Sequence, residues 1–142
     1  MSVLLFVYGT LKTNFSRNHY LAKQIYIGTA KTTPEYSMYT LGGFPCLLNK
    51  KLAEKNNVPA QVSVYGELWQ VDEECLVVLD KVEGVDSDLF ERLPVHLEEI
   101  NLCRLPTNQD VWKAIESKNA SAYLFKQTVS GAANCGSFWS RK

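Results

Sequence analysis

The segment LLFVYGTLKTNF, residues 4–15, combines an apolar run with a glycine and a polar continuation. Its apolar start, residues 4–7, is typical of a buried strand, and the run stops at Tyr8-Gly9-Thr10 before a polar segment over residues 12–17. A glycine at the exit of a buried strand lets backbone N–H groups face outward and lets a ligand approach without a Cβ in the way. The same pattern is typical of an ordinary turn, so this segment alone supports both a binding loop and a turn.

Two polar side chains in this segment also have two interpretations each. Thr10 can donate a hydroxyl hydrogen bond to a ligand or cap the turn. Lys12 can attract anionic substrates to a cavity mouth or remain a solvated charge, and we expect the solvated charge because lysine is rarely buried.

The overall composition excludes several classes of protein. A length of 142 residues predicts a single domain over residues 1–142 with one hydrophobic core. Fifteen basic and fifteen acidic side chains give a net charge of zero, which argues against a nucleic-acid partner. The N-terminus lacks a basic leader, and no apolar run approaches the roughly 20 residues of a membrane span. We therefore expect a cytoplasmic protein with no membrane or nucleic-acid partner, and a monomer as the default state.

The cysteines and histidines give no metal-binding pattern. Cys46, Cys75, Cys103 and Cys135 have no C-x-x-C spacing, and the chain has only two histidines. We expect no metal site, no cofactor and free, buried thiols of the kind found in a reducing compartment.

The remaining pattern predicts about six short strands and one main helix, which is typical of an α+β domain with a mixed or closed sheet. Phe138-Trp139 is expected to pack back on the body of the domain. Strands are predicted at residues 4–7, 25–29, 36–41, 61–71, 93–100 and 121–129, with a weaker candidate at 46–48 and short helices considered at 16–23 and around 111–115.

The main helix is predicted over VDEECLVVLDKVEG, residues 71–84. Asp72 can cap its start and Gly84 can end it in a left-handed conformation. At about 100° per residue, one side of this helix gathers the apolar residues that we expect to be buried. These residues are Cys75, Val78, Leu79 and Val82.

Glu83 falls on the apolar arc of that helix, between the directions of Leu76 and Leu79. It also lies in the last turn, where the carbonyl end of the helix dipole disfavours a negative charge. Both effects raise the pKa of a carboxyl group, as general acid–base catalysis requires. A glutamate at a fraying helix end can instead lift into solvent, and the helical wheel leaves that alternative open.

Three stretches together resemble the γ-glutamylcyclotransferase family, in particular its γ-glutamylamine cyclotransferase branch and the AIG2-like proteins. These are FVYGTLK at residues 6–12, VYGELWQVDEECLVVLDKVEG at 64–84 and LFER at 89–92. The resemblance covers residues 3–100 well and the C-terminal third weakly. It implies a small mixed or antiparallel β-barrel of about six strands, with a pocket at its edge.

The resemblance also implies roles for particular residues. The family's Y-G-T-L loop matches Tyr8, Gly9, Thr10 and Leu11, which would hold the γ-glutamyl head of a substrate, and its single catalytic acid matches Glu83. Relatives often carry tyrosine where this chain has Phe90, so a role for that hydroxyl is absent here. Arg92 also matches, although a salt bridge is expected to be its main duty, with Glu67 as partner. Glu67 is the rival candidate base.

The implied reaction is cyclisation of an L-γ-glutamyl amide, such as Nε-(γ-glutamyl)lysine, to 5-oxoproline with release of an amine. The substrate's own α-amine is the nucleophile, so no serine, cysteine or metal is required. The alternatives are a cyclotransferase for other γ-glutamyl compounds and a non-catalytic AIG2-like binding or stress-response module. An inactive relative is expected to lack Glu83 or to hold it in a salt bridge.

Other residues have weaker claims on the site. Phe44-Pro45 can line the pocket or form a tight turn, and Tyr123 can face the pocket or the core.

Overall fold

The computed structural model of the chain describes residues 2–139. Its centre is a closed barrel of five strands. The strands are β1 (Ser2–Val7), β2 (Ile25–Thr32), β5 (Tyr65–Asp72), β6 (Phe90–Leu102) and β7 (Asn119–Phe125). Their order around the barrel is β1-β5-β2-β6-β7. Neighbouring strands pair antiparallel, except that β1 and β7 pair parallel through Leu5 and Ser121 and so close the barrel.

The opening strand is apolar on both faces because both faces are covered. Residues 4–7 are all buried. One side contributes to the barrel interior, and α3 (Gln109–Ser117) packs against β1, with Val111 fully buried. A strand covered on both faces is expected to be continuously hydrophobic rather than alternating.

A second sheet consists of three strands, β3 (Ser37–Leu41), β4 (Phe44–Leu48) and β8 (Ala133–Asn134). Their order in the sheet is β4-β3-β8. Strand β4 contacts β7 and places Phe44 and Pro45 beside the exit of β1. The short helix α1 (Lys50–Lys55) follows, and the side chain of Asn49 accepts a hydrogen bond from the amide of Leu52 at its start.

The main helix, α2 (Glu73–Val82), begins and ends where the sequence predicts. Asp72 accepts a hydrogen bond from the amide of Cys75 over 2.9 Å, and Gly84 has a φ of 71°. The predicted buried face was partly wrong, because Val78 is 46% exposed while Leu76 is buried. The centre of the buried side lies between Leu76 and Leu79, which is closer to the direction of Glu83 than the helical periodicity alone predicted.

The α+β class and the small mixed barrel are confirmed, with five strands in the barrel rather than about six. The helix expected near residues 111–115 is α3, whereas residues 16–23 contain only a single 3₁₀ turn, Asn18–Leu21. Of the C-terminal aromatic pair, Trp139 is buried and Phe138 is 55% exposed. None of the helices within residues 2–139 is long and apolar enough to cross a membrane.

The four cysteines are free thiols, as predicted, but they are not all buried. Cys46 and Cys75 are buried, Cys135 is half-buried and Cys103 is exposed. Burial raises the pKa of Cys46 to about 12, so that thiol is a packing group at neutral pH.

Candidate active site

A narrow cavity opens where β1 ends, and the predicted site residues meet in it. Residues 8–11 line it, and so do Arg17 and Glu83. Phe44, Pro45, Phe90 and Tyr123 complete the wall, and the free volume inside is about 30 Å³. The structure therefore brings the Y-G-T-L segment and the carboxyl group at the end of α2 together, although about 70 residues separate them in the chain.

Backbone amides are the available donors on the loop side of this cavity. Within residues 2–139, the N–H groups of Gly9, Thr10 and Leu11 donate no hydrogen bond to another residue. The carbonyl oxygen of Thr10 accepts from the amide of Arg17 over 2.8 Å, which fixes the curve of the loop. Free amides grouped in a loop are suited to bind an anionic oxygen.

Tyr8 ties this loop to the barrel. It is buried, and its hydroxyl donates to the carbonyl oxygen of Tyr123 over 2.6 Å. Burial, reinforced by the negative charge of Glu83, raises the pKa of Tyr8 well above its usual value. The phenol is therefore neutral at physiological pH and acts in the loop as a hydrogen-bond donor.

Gly9 is required by packing within the wall of the cavity. A Cβ placed on Gly9 would lie 2.4 Å from Cγ and 3.0 Å from Cδ of Pro45. The missing side chain therefore makes room for the proline ring of β4. The two interpretations of Gly9, a binding loop and an ordinary turn, did not include this packing against Pro45.

Glu83 is a buried carboxyl group with one cationic partner. Its side chain is 10% exposed, and Oε2 lies 2.9 Å from Nη1 of Arg17, whose side chain is 39% exposed. Burial raises the pKa of Glu83 above its ordinary value, and the opposing effect of Arg17 does not cancel it. The expectation from the helical wheel that Glu83 stays out of bulk water, with a raised pKa, agrees with this geometry.

Arg92 has a different partner from the one predicted. Its guanidinium donates to both oxygens of Asp80, over 3.1 and 3.2 Å, and the hydroxyl of Tyr123 donates to Asp80 Oδ1 over 2.6 Å. Burial raises the pKa of Asp80, but these donors outweigh it and the pKa is lowered overall. The predicted pairing of Arg92 with Glu67 was wrong. The partner of Arg92 is Asp80, which lies three positions before Glu83 in the chain.

Glu67 lies in a separate, wider cavity of about 630 Å³ on the far side of the loop. Its Oε1 accepts from the amide of Thr13 over 2.9 Å and from the indole N–H of Trp69 over 3.2 Å. The hydroxyl of Thr13 donates to the same oxygen over 3.2 Å, so Glu67 connects the segment that follows residue 11 to β5. Its contacts favour a role in holding the loop.

The prediction of a solvated Lys12 was wrong. Lys12 is 3% exposed, and its Nζ donates to the carbonyl oxygen of Trp139 over 2.8 Å. The ammonium also lies 3.7 Å from the ring centroid of Phe138 and 4.8 Å from that of Phe15. The charge is buried because the C-terminal segment folds over it, and this cannot be read from the local sequence.

Arg17 was not identified from the sequence as a site residue. It belongs to the polar segment after β1, where a basic side chain looks like an exposed charge. The amide of Arg17 donates to the carbonyl oxygen of Thr10, a turn that the local sequence does not indicate, and the side chain of Arg17 then reaches Glu83 at the end of α2.

No three His, Cys, Asp or Glu side chains in the described part of the chain are grouped to hold a metal ion.

The fold and the site together define a class: a small closed barrel whose first strand runs into an amide-lined cavity with one buried carboxyl group. A family model described as gamma-glutamyl cyclotransferase, AIG2-like, matches residues 5–139. The chain belongs to this family.

Several relatives resemble the chain over most of its length. A Vibrio cholerae protein, placed by its name among the gamma-glutamylcyclotransferases, is 40% identical over 60% of this chain. Gamma-glutamylaminecyclotransferase A of zebrafish is 35% identical over 69% of it. The matched region spans 65% and 60% of the lengths of those two proteins.

Solved structures agree with the fold. An AIG2-like protein from mouse has a TM-score of 0.62 at 19% identity, with 89% of this chain and 77% of that chain covered. A protein specific to uropathogenic Escherichia coli has a TM-score of 0.69 at 16% identity, with 96% and 92% covered. At such identities the likeness concerns the fold alone.

Proposed function

We propose that this protein is a γ-glutamylamine cyclotransferase, which converts an L-γ-glutamyl amide into 5-oxoproline and a free amine. The observation that carries the proposal is the position of Glu83, a buried side chain that lines the same cavity as the segment 8–11 with its free amides. Family membership and the zebrafish relative, whose name states this activity, support it.

The reaction needs a proton carrier, and Glu83 is suited to that task. The α-ammonium group of the substrate must lose a proton before its nitrogen can attack the γ-carbonyl carbon. The departing amine must then gain a proton as the C–N bond breaks. A carboxyl group with a raised pKa can accept the first proton and deliver it to the departing amine. The ring nitrogen then loses its second proton, which the released amine takes up as it becomes an ammonium, so that no water and no cofactor enter the balance.

Negative charge develops on the γ-carbonyl oxygen when the carbon becomes tetrahedral. The amides of Gly9, Thr10 and Leu11 are free to donate to that oxygen, since no residue within 2–139 uses them. One such donor, fixed before the reaction, contributes about 2.7–4 kcal/mol to transition-state stabilisation in other acyl-transfer sites. Binding the glutamyl chain in a bent form brings the amine and carbonyl together, which lowers the barrier further.

The preferred leaving group is proposed to be an amine with a long side chain, as in Nε-(γ-glutamyl)lysine. The cavity is narrow, so a long amine side chain must extend out of it toward solvent, where the side chain of Arg17 is partly exposed. The support for this finer choice is the zebrafish relative. Other γ-glutamyl amino acids would use the same head-group site.

A non-catalytic binding module is the second candidate, and one observation favours it. Glu83 is engaged in an ion pair with Arg17, as expected for a relative that has lost its activity. The raised pKa of Glu83 argues for the enzyme, since an acid kept only for a salt bridge would have a lowered pKa, as Asp80 does.

The decisive experiment is a turnover assay with the purified full chain. The protein is incubated separately with Nε-(γ-glutamyl)lysine, γ-glutamyl-alanine and glutathione, and 5-oxoproline is quantified. Glu83→Gln should lower the rate by about 10²–10⁴-fold, the usual contribution of a general acid–base group, while its circular dichroism is unchanged. Glu116→Gln, at an exposed glutamate, is the matched control. Equal rates for wild type and Glu83→Gln would reject Glu83, and no 5-oxoproline from any substrate would favour the binding module.

A further inference from the structure

The ion pair with Arg17 occupies the position at Glu83 that a substrate ammonium would take. Oε2 of Glu83 lies 2.9 Å from Nη1 of Arg17, a distance that leaves no space for a third group between these two atoms. A γ-glutamyl head carries a carboxylate, an ammonium and a carbonyl. Arg17 must therefore move before the ammonium of such a ligand can replace it at Oε2.

Arg17 is the wall residue best able to move. Its side chain is 39% exposed, whereas Tyr8, Phe90 and Tyr123 are buried. Its backbone is anchored, because its amide donates to the carbonyl oxygen of Thr10 over 2.8 Å. Rotation of the long side chain would open the cavity and keep the guanidinium within reach of its mouth.

The Glu83–Arg17 ion pair is complementary in charge to the ammonium and the carboxylate of an α-amino acid group. Glu83 supplies one negative group and Arg17 one positive group, in direct contact at 2.9 Å. The substrate carries an ammonium and a carboxylate on one carbon. A zwitterion can insert between the two side chains so that each charge keeps a partner, which avoids the cost of leaving a buried carboxylate unpaired.

We infer that the Glu83–Arg17 ion pair is the recognition site for the α-amino acid group of the substrate: Arg17 leaves Glu83 to bind the α-carboxylate, and the α-ammonium takes its place at Glu83. Guanidinium groups bind carboxylates through two parallel hydrogen bonds, and within residues 2–139 the Arg17 side chain uses only Nη1. This inference rests on the proposed function, which it extends by naming Arg17 as a substrate-binding residue.

The exchange of partners also places the groups for the reaction. The α-ammonium arrives at the acid that must accept its proton, and the loop amides remain free for the γ-carbonyl oxygen. A resting enzyme keeps Glu83 paired, which accounts for a salt bridge in a site proposed to be active.

The first test compares a γ-glutamyl substrate with the same compound in which the α-carboxylate is replaced by a carboxamide. Wild type should prefer the free acid, and Arg17→Gln should raise KM for the acid by about 10- to 100-fold, the range of a charge-assisted hydrogen bond. The KM for the carboxamide should change by less than about threefold. The KM of Arg17→Lys for the acid should lie between those of wild type and Arg17→Gln, because lysine keeps the charge but lacks the planar guanidinium fork. Arg104→Gln, at an exposed arginine outside both cavities, is the control.

The second test needs no turnover and separates this inference from the proposed function. Binding of 5-oxoproline and of its carboxamide is measured by calorimetry on wild type, Arg17→Gln and Arg104→Gln. We expect wild type and the control to bind the acid at least about 10-fold more tightly than the amide, and Arg17→Gln to bind both equally.

The outcomes are distinct. If wild type releases 5-oxoproline but Arg17→Gln keeps the wild-type preference for the acid, the role of Arg17 is refuted and the proposed function stands. If wild type releases none but its preference for the carboxylate in binding depends on Arg17, the proposed function fails and carboxylate recognition stands. Absence of both turnover and carboxylate preference refutes both.

Discussion

Glu83 is the residue that ends α2, and its Oε2 contacts Nη1 of Arg17 at 2.9 Å although the two side chains are 10% and 39% exposed. The acid is thus desolvated while its partner remains partly in water. This asymmetry explains why burial outweighs the cation in setting the pKa of Glu83.

The first prediction concerns stability against pH. Because the pKa of Glu83 is raised in the folded state, the folded chain holds this proton more tightly than the unfolded chain. The resulting stability is complete below the ordinary glutamate pKa of about 4.3 and is lost as the pH rises through the folded value. Glu83→Gln should therefore be more stable than wild type at pH 7, and the difference should shrink toward pH 4. Urea unfolding across this range measures it.

Glu116→Gln provides the comparison for that experiment, since Glu116 is an exposed glutamate in the last turn of α3. Its free energy of unfolding should follow wild type within about 0.5 kcal/mol at every pH. A Glu83→Gln protein that is less stable than wild type at pH 7 would mean that the ion pair with Arg17 outweighs burial.

The second prediction concerns Gly9. Gly9→Ala would bring its Cβ to 2.4 Å from Pro45 Cγ, so either β4 or the loop must shift. We expect a loss of about 1–3 kcal/mol in the free energy of unfolding and a raised KM for γ-glutamyl substrates. Gly43→Ala is the matched control, because a Cβ there meets no atom within 4 Å. Equal stability and KM for Gly9→Ala and wild type would show that the loop tolerates the shift without effect on binding.

The sequence was informative about Glu83 because the relevant physics is local. Helical periodicity and the end of the dipole both act within α2, so its direction could be predicted without the rest of the fold. The exact centre of the buried face was not predictable, because it depends on which elements cover α2. Val78 is exposed for that reason alone.

The contacts of the charged side chains were not predictable, because they join residues far apart in the chain. Arg17 meets Glu83 across 66 positions, and the ammonium of Lys12 meets the carbonyl of Trp139 across 127. Closure of the barrel by the parallel pairing of β1 with β7 is also a long-range event. Strand patterns indicate that a residue is in a sheet but not which strand is its neighbour.

The third prediction concerns the network around Asp80. Tyr123→Phe removes the hydroxyl that donates to Asp80 over 2.6 Å, while the hydrogen bonds from Arg92 remain. We expect a loss of about 1.5–3 kcal/mol at pH 7, the range for a hydrogen bond to a charged group. The pKa of Asp80 is lowered, so this contribution is present above the ordinary aspartate pKa and is lost as the pH falls through the folded value. Thermal unfolding at several pH values measures it.

Tyr65→Phe controls for the loss of a phenolic hydroxyl, since Tyr65 is 46% exposed. Its melting temperature should stay close to that of wild type. If the loss in Tyr123→Phe did not shrink as the pH fell below the ordinary aspartate pKa, the hydroxyl would be acting through packing rather than through the carboxylate.

The last prediction concerns the buried ammonium of Lys12. Lys12→Ala removes the donor to the Trp139 carbonyl and the cation between the rings of Phe15 and Phe138. We expect faster amide exchange over residues 135–139, measured by mass spectrometry, and a loss of about 1–3 kcal/mol in stability. Lys23→Ala, at an exposed lysine, should change neither. The amide of Tyr65 donates to the carbonyl of residue 137, and the amide of Cys135 donates to the carbonyl of Met38, both over 2.8 Å. Exchange that is unchanged in Lys12→Ala would mean that these backbone bonds hold the segment without the ammonium.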